Sequence, residues 1–98
     1  MFDISTISKR YFSIKINDIE IEVEPPKIKT LKKIITLSKN HGEDAINELS
    51  EAVKIILSKN KTGYQVPDEI IDEIDLDQYN AILIEYFKWI SEVKNSPN

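Results

Sequence analysis

The sequence predicts an α+β fold, mainly α: an N-terminal β-hairpin packed on a small bundle of three main helices plus a short acidic helical turn. Three observations predict it. Apolar residues alternate with polar ones from about residue 11 to residue 24 and then recur at helical spacing to the end of the chain. The turn signals Asn17-Asp18, Pro25-Pro26 and Asn60 to Gly63 punctuate these segments. A chain of 98 residues has room for one thin hydrophobic core, so residues 1–94 are expected to form a single domain, with 95–98 as a frayed tail. Thin cores often gain stability by self-association.

The hairpin is expected over about 9–24. Phe12, Ile14 and Ile16 share one face of the first strand, and Ile19, Ile21 and Val23 share one face of the second. Tyr11, Ser13, Lys15 and the glutamates 20, 22 and 24 fall on the other. Asn17-Asp18 between the runs tolerates the left-handed backbone that a tight turn demands. A two-stranded hairpin is marginal in water, so its apolar face must lie on the helices.

Helices are expected at about 30–40, 44–60, 68–74 and 77–94. Pro25-Pro26 ends the second strand, and Thr30 is a plausible N-cap for the first helix, whose stripe is Leu31, Ile34, Ile35 and Ser38. That helix should stop near Asn40-His41-Gly42. Glu43 and Asp44 favour the positive end of the second helix, which carries Ile46, Leu49, Ala52, Val53, Ile56 and Leu57. A turn or two follows at Glu69 to Ile74. Asp77 is the expected N-cap of the last helix, whose stripe of Tyr79, Ile82, Leu83, Tyr86, Phe87, Ile90 and Val93 is the strongest pattern in the chain.

Composition removes several function classes. With no cysteine there is no disulfide, thiolate nucleophile or sulfur-based zinc site, and His41 alone does not make a metal or catalytic constellation. Two glycines do not build a phosphate loop or dinucleotide fingerprint. The acids from Asp68 to Asp77 lack the central glycine of a calcium loop and are interrupted by isoleucines, so they read as a solvated face and helix-end charge. No catalytic, cofactor-binding or metal-ligating residue is assigned, and no cofactor is expected. The first residues have no basic region leading into an apolar core, and no apolar run approaches membrane-spanning length, so a cytoplasmic protein without a membrane partner is expected.

The remaining features concern partners. Residues 1–40 hold eight Lys and Arg against five Asp and Glu, a net +3, while residues 41–98 hold five against twelve, a net −7. That asymmetry can set one copy against the next, or the two halves against each other within one fold. Lys27, Lys29, Lys32 and Lys33 are the candidate contacts for nucleic acid, which a pI of about 5.0 and the lack of arginine among them disfavour. Ile84 lies off the main stripe of the last helix and Trp89 widens it to one side, making these two the candidate protein contacts.

The order of pieces resembles the tail assembly chaperones of long-tailed bacteriophages and prophages. The likeness rests on the hairpin, the entry Pro26-Lys27-Ile28-Lys29-Thr30-Leu31 into a first helix, a second amphipathic helix, and Asp75-Leu76-Asp77 leading into an aromatic-rich last helix. It implies a non-enzymatic virion assembly factor of the host bacterial cytoplasm. Such a factor binds the tape measure protein, helps recruit tail tube protein and forms oligomers. The family also implies a longer frameshifted product, for which Val93-Lys94-Asn95 is compatible with a slippery codon run. The rival expectations are a small nucleic-acid-binding regulator using the basic first helix, and an adaptor with an acidic protein-binding face.

Overall fold

The computed structural model describes residues 1–7, 10–39 and 43–92. An α+β, mainly α arrangement is what it shows: strands β1 (Phe12–Ile16) and β2 (Ile19–Val23), then helices α1 (Ile28–Ser38), α2 (Ala45–Ser58), α3 (Asp68–Asp72) and α4 (Leu76–Ser91). A short 3-10 turn, Ile4–Thr6, precedes β1. The expected stop at Asn40-His41-Gly42, the stripe residue Val93 and the 95–98 tail lie outside the described residues.

The strands pair antiparallel in the register Phe12 to Val23, Ile14 to Ile21 and Ile16 to Ile19. Asn17 and Asp18 close them at φ 50° and 66°. Positive φ at both central residues defines a type I′ turn, whose twist matches that of the flanking strands. Ile21 and Val23 are buried, while Phe12, Ile14, Ile16 and Ile19 are covered only in part.

The core is built from the inner faces of three helices and the second strand. Ile34 and Leu37 of α1 meet Ala52, Val53, Ile56 and Leu57 of α2, and Tyr79, Leu83 and Tyr86 of α4 close the other side. Each fully buried large side chain contributes about 1.5–3 kcal/mol, most of which the ordering of the chain offsets. Tyr79 spans the layer, its hydroxyl donating to the Ile71 carbonyl at 2.8 Å and so tying α4 to α3.

Two helix starts differ from expectation. α1 begins at Ile28, two residues before the expected cap Thr30, with Lys27 in the cap position and no side-chain bond there. Pro25 and Pro26 hold the chain extended to that point, and the helix begins as soon as they release it. α4 is capped by Asp75, not Asp77: its carboxylate accepts from the Gln78 amide at 2.8 Å while Gln78 Oε1 accepts from the Asp75 amide at 2.9 Å. This reciprocal capping box satisfies two end amides at once, whereas a cap at Asp77 would leave Leu76 outside the helix.

β2 has a second neighbour besides β1. After α2 the chain runs beside it, with Lys61 N donating to Glu22 O at 2.8 Å, Glu24 N donating to Lys59 O at 2.9 Å, and Val23 bridging to Asn60. Asn60 is buried and fully used. Its Nδ2 donates to the carbonyls of Leu57 (2.9 Å) and Tyr64 (2.7 Å), and its Oδ1 accepts from the Tyr64 amide at 2.8 Å. The loop returns through Gly63 at φ 74°, a conformation strained for any residue with a side chain.

Candidate protein-binding groove

Among the described residues no strand pairs with the outer edge of β1, and a groove of about 570 Å³ runs along it. Its strand wall is β1 itself, with Phe12, Ile14 and Ile16 turned toward the helices. Its helical wall is Ile70 and Ile74 with Gln78, Ala81, Ile82 and Glu85. The positions 78, 81, 82 and 85 share one side of α4, since steps of three and four residues return to the same helical face. The groove is therefore lined both by apolar side chains and by the polar or charged Ser13, Lys15, Asn17, Glu73, Gln78 and Glu85. A concave surface that sets isoleucines beside polar and charged groups suits an amphipathic peptide segment.

The backbone of β1 adds a second recognition element. In an antiparallel pair, opposing residues point their backbone groups the same way relative to the ladder. Glu22 directs its carbonyl away from β1, to Lys61. Its partner Ser13, and in the same phase Lys15, thus direct theirs away from β2 toward the open side. Among the described residues no backbone hydrogen bond reaches Ser13 or Lys15 from outside the hairpin.

An aromatic cluster joins the start of β1 to the end of α4. Phe12 meets Tyr86 edge-on at 5.8 Å between ring centres and lies 5.7 Å from Trp89, while Tyr86 and Trp89 are 5.8 Å apart. Arg10 stacks over Trp89 at 4.8 Å and donates through Nη1 to its carbonyl at 3.0 Å. Burial pushes the Tyr86 phenol up to about 12, because the ionised form loses its solvation.

The structure separates the two candidate protein contacts. Trp89 is half-buried among Phe12, Tyr86 and Arg10 and joins hairpin to helix. Ile84 is 65% exposed, on a different side of α4 from the groove residues. The candidate nucleic-acid contacts Lys27, Lys29, Lys32 and Lys33 are all exposed. Of these, Lys33 stands 3.7 Å from Glu51, and both side chains are more than half exposed. Such an ion pair holds little energy.

The acidic stretch is put to structural use: Asp68 accepts from Lys54, whose pKa it raises through that hydrogen bond and its charge, and Asp75 caps α4. No group of three or more metal-ligating side chains occurs among the described residues, and no described helix is long and apolar enough to cross a membrane. The groove itself was not read from the sequence. Its signal was the surplus of isoleucine: Ile70 and Ile74 inside an acidic run, and a hairpin face larger than one thin core can cover. In comparison with known proteins, no family model, curated protein or solved structure matches the chain.

Proposed function

We propose that this chain is a non-enzymatic protein-binding domain that acts as a tail assembly chaperone of a long-tailed phage or prophage. In the host bacterial cytoplasm it holds apolar segments of the tape measure protein soluble and helps recruit tail tube protein around them. The observation that carries this reading is the groove, in which Ile14, Ile16, Ile70, Ile74 and Ile82 line one concave surface together with Lys15, Glu73 and Glu85. A client with long apolar faces needs such a surface. The resemblance in element order supplies the identity of the client, and Ile84 offers a further apolar contact outside the groove.

Co-expression with the tape measure protein tests it. The expected result is a soluble complex of both chains, and Ile82→Asp, which sets a charge on the groove floor, releases the client into the insoluble fraction. A client that is equally insoluble with and without the chain overturns the proposal.

A second reading has one observation in its favour, the exposed basic face of α1. On that reading the chain binds DNA through Lys27, Lys29, Lys32 and Lys33, with an affinity that falls steeply with salt. Retention on a DNA column at low salt, lost on replacing the four lysines with alanine, would establish it in place of the chaperone.

A further inference from the structure

The sealed edge of the hairpin shows what a segment added to this sheet looks like. Lys59 and Lys61 bond to β2 through their backbones, and their side chains stand 3.6 Å from Glu24 and 3.7 Å from Glu22. Asn60 between them is buried. The added segment thus alternates, with charge contacts on one face and a residue committed to the interior on the other, as a strand must. Along β1 the same sheet offers backbone groups at Ser13 and Lys15, and among the described residues no backbone bond from outside the hairpin reaches them.

We propose that the groove along β1 binds an extended segment of a partner protein as an added antiparallel strand, and that this segment carries alternating apolar residues flanked by lysine or arginine. The helical wall supplies the charge: Glu73 and Glu85 are exposed, and neither forms an ion pair among the described residues. Glu85 lies about two turns beyond Gln78 on α4 and Glu73 precedes the helix, so the two carboxylates mark opposite ends of the wall. Lys15, which also lines the groove, stands 3.8 Å from Asp18. The uncompensated charge is therefore negative, and basic residues complement it. Half-buried Ile74 and Ile82, with Ile14 and Ile16, line the groove for the apolar side chains.

An extended segment, rather than a helix, is favoured by the edge itself. A strand beside β1 exchanges backbone bonds with Ser13 and Lys15, whereas a helix has satisfied its own backbone and leaves that edge unpaired. Side chains opposite Ser13 and Lys15 fall on the solvent face with those residues, and side chains opposite Phe12, Ile14 and Ile16 fall on the face of the helical wall. Main-chain bonds then supply affinity that many sequences can share, while the isoleucines and carboxylates select among them. Strand addition rests on the groove being the protein-binding surface proposed above, and it adds how the client is held and what its segment is made of.

The probe is the fluorescently labelled peptide Lys-Thr-Ile-Thr-Ile-Thr-Lys, whose pattern reads alike in both directions, titrated by anisotropy against the whole chain. The expected result is saturable binding that slows amide exchange at Ser13 and Lys15. An ester in place of the central Thr amide weakens binding about tenfold and an ester in place of an Ile amide does not, because only the Thr groups point at β1 in this register. A peptide ending in Glu in place of Lys binds about tenfold more weakly, and Glu73→Lys combined with Glu85→Lys reverses that order. Both glutamates are exposed and outside the core, so this variant keeps the fold, which circular dichroism verifies. No binding up to about 1 mM peptide overturns the proposal. So does an equal response to the two ester positions, the mark of a helix or of side-chain contacts alone, and so do Ser13 and Lys15 amides already protected in the free chain. A chain that keeps the tape measure protein soluble yet fails these tests loses strand addition alone, and one that passes them but leaves the client insoluble loses the chaperone reading alone.

Discussion

The two edges of the hairpin have the same length and similar side chains, yet one is shut and the other open. β2 is sealed by the chain after α2, with backbone bonds from Lys61 and to Lys59. β1 faces a groove, and among the described residues no backbone bond reaches Ser13 or Lys15 from that side. An unpaired edge beside apolar surface invites pairing with another chain, and proteins that keep one usually employ it. Stability thus resides at the β2 side and recognition at the β1 side, and substitutions on the two sides should behave differently.

The largest effect is expected at the shut edge. Asn60→Ala strips four backbone and side-chain partners of a buried amide, leaving the Leu57 and Tyr64 groups short of hydrogen bonds. The expected loss is about 3 kcal/mol in urea unfolding, since buried polar groups left unpaired each cost about 1–3 kcal/mol. Amide exchange at Lys61 and Glu24 should accelerate with it, while Ser13 and Lys15 are unaffected. A loss under about 0.5 kcal/mol would show that the sealing strand holds without this residue.

The next effect concerns the aromatic cluster between the two sides. Tyr86 has a folded pKa near 12 against an ordinary value of 10.0. The unfolded chain therefore gives up this proton first as pH rises. Stability is intact below about pH 10 and falls between about 10 and 12 by roughly 1.4 kcal/mol per pH unit from this one group. Tyr86→Phe removes that part of the slope. Thermal unfolding followed from pH 9 to 12 checks it, and equal slopes in both proteins would assign the alkaline loss elsewhere.

How much of this was legible in the sequence follows from how local each signal is. The hairpin, its Asn17-Asp18 turn and the stripe of α4 were readable because period and turn chemistry are carried by neighbours in the chain. The cap at Asp75 was also written locally, in its spacing to Gln78, and Asp77 was the wrong choice between two acids. Asn60 was legible as part of the stop after α2, but not as the hub of the segment that seals β2, which depends on where α2 delivers the chain. Trp89 was legible as a residue that widens the stripe of α4, but not its pairing with Phe12, a residue far away in sequence. The groove is hardest of all to foresee. It exists because α3 and α4 stand off from β1, and alternation alone gives the same isoleucines whether they are covered or not.

The smallest effect sharpens the comparison most, because it places the same residue at both edges. Proline removes a backbone donor, so its cost reports whether that donor was in use. At Glu24 the amide donates to Lys59, and Glu24→Pro should cost about 1–2 kcal/mol from the lost bond. At Ser13 the amide points to the open side, so Ser13→Pro should cost less than about half as much in the monomer, the remainder being the strain of fixing φ. Urea unfolding at concentrations too low for association reads both. If Ser13→Pro proved the costlier of the two, the β1 edge would already be engaged within the monomer, and the division into a structural side and a recognition side would fail at its foundation.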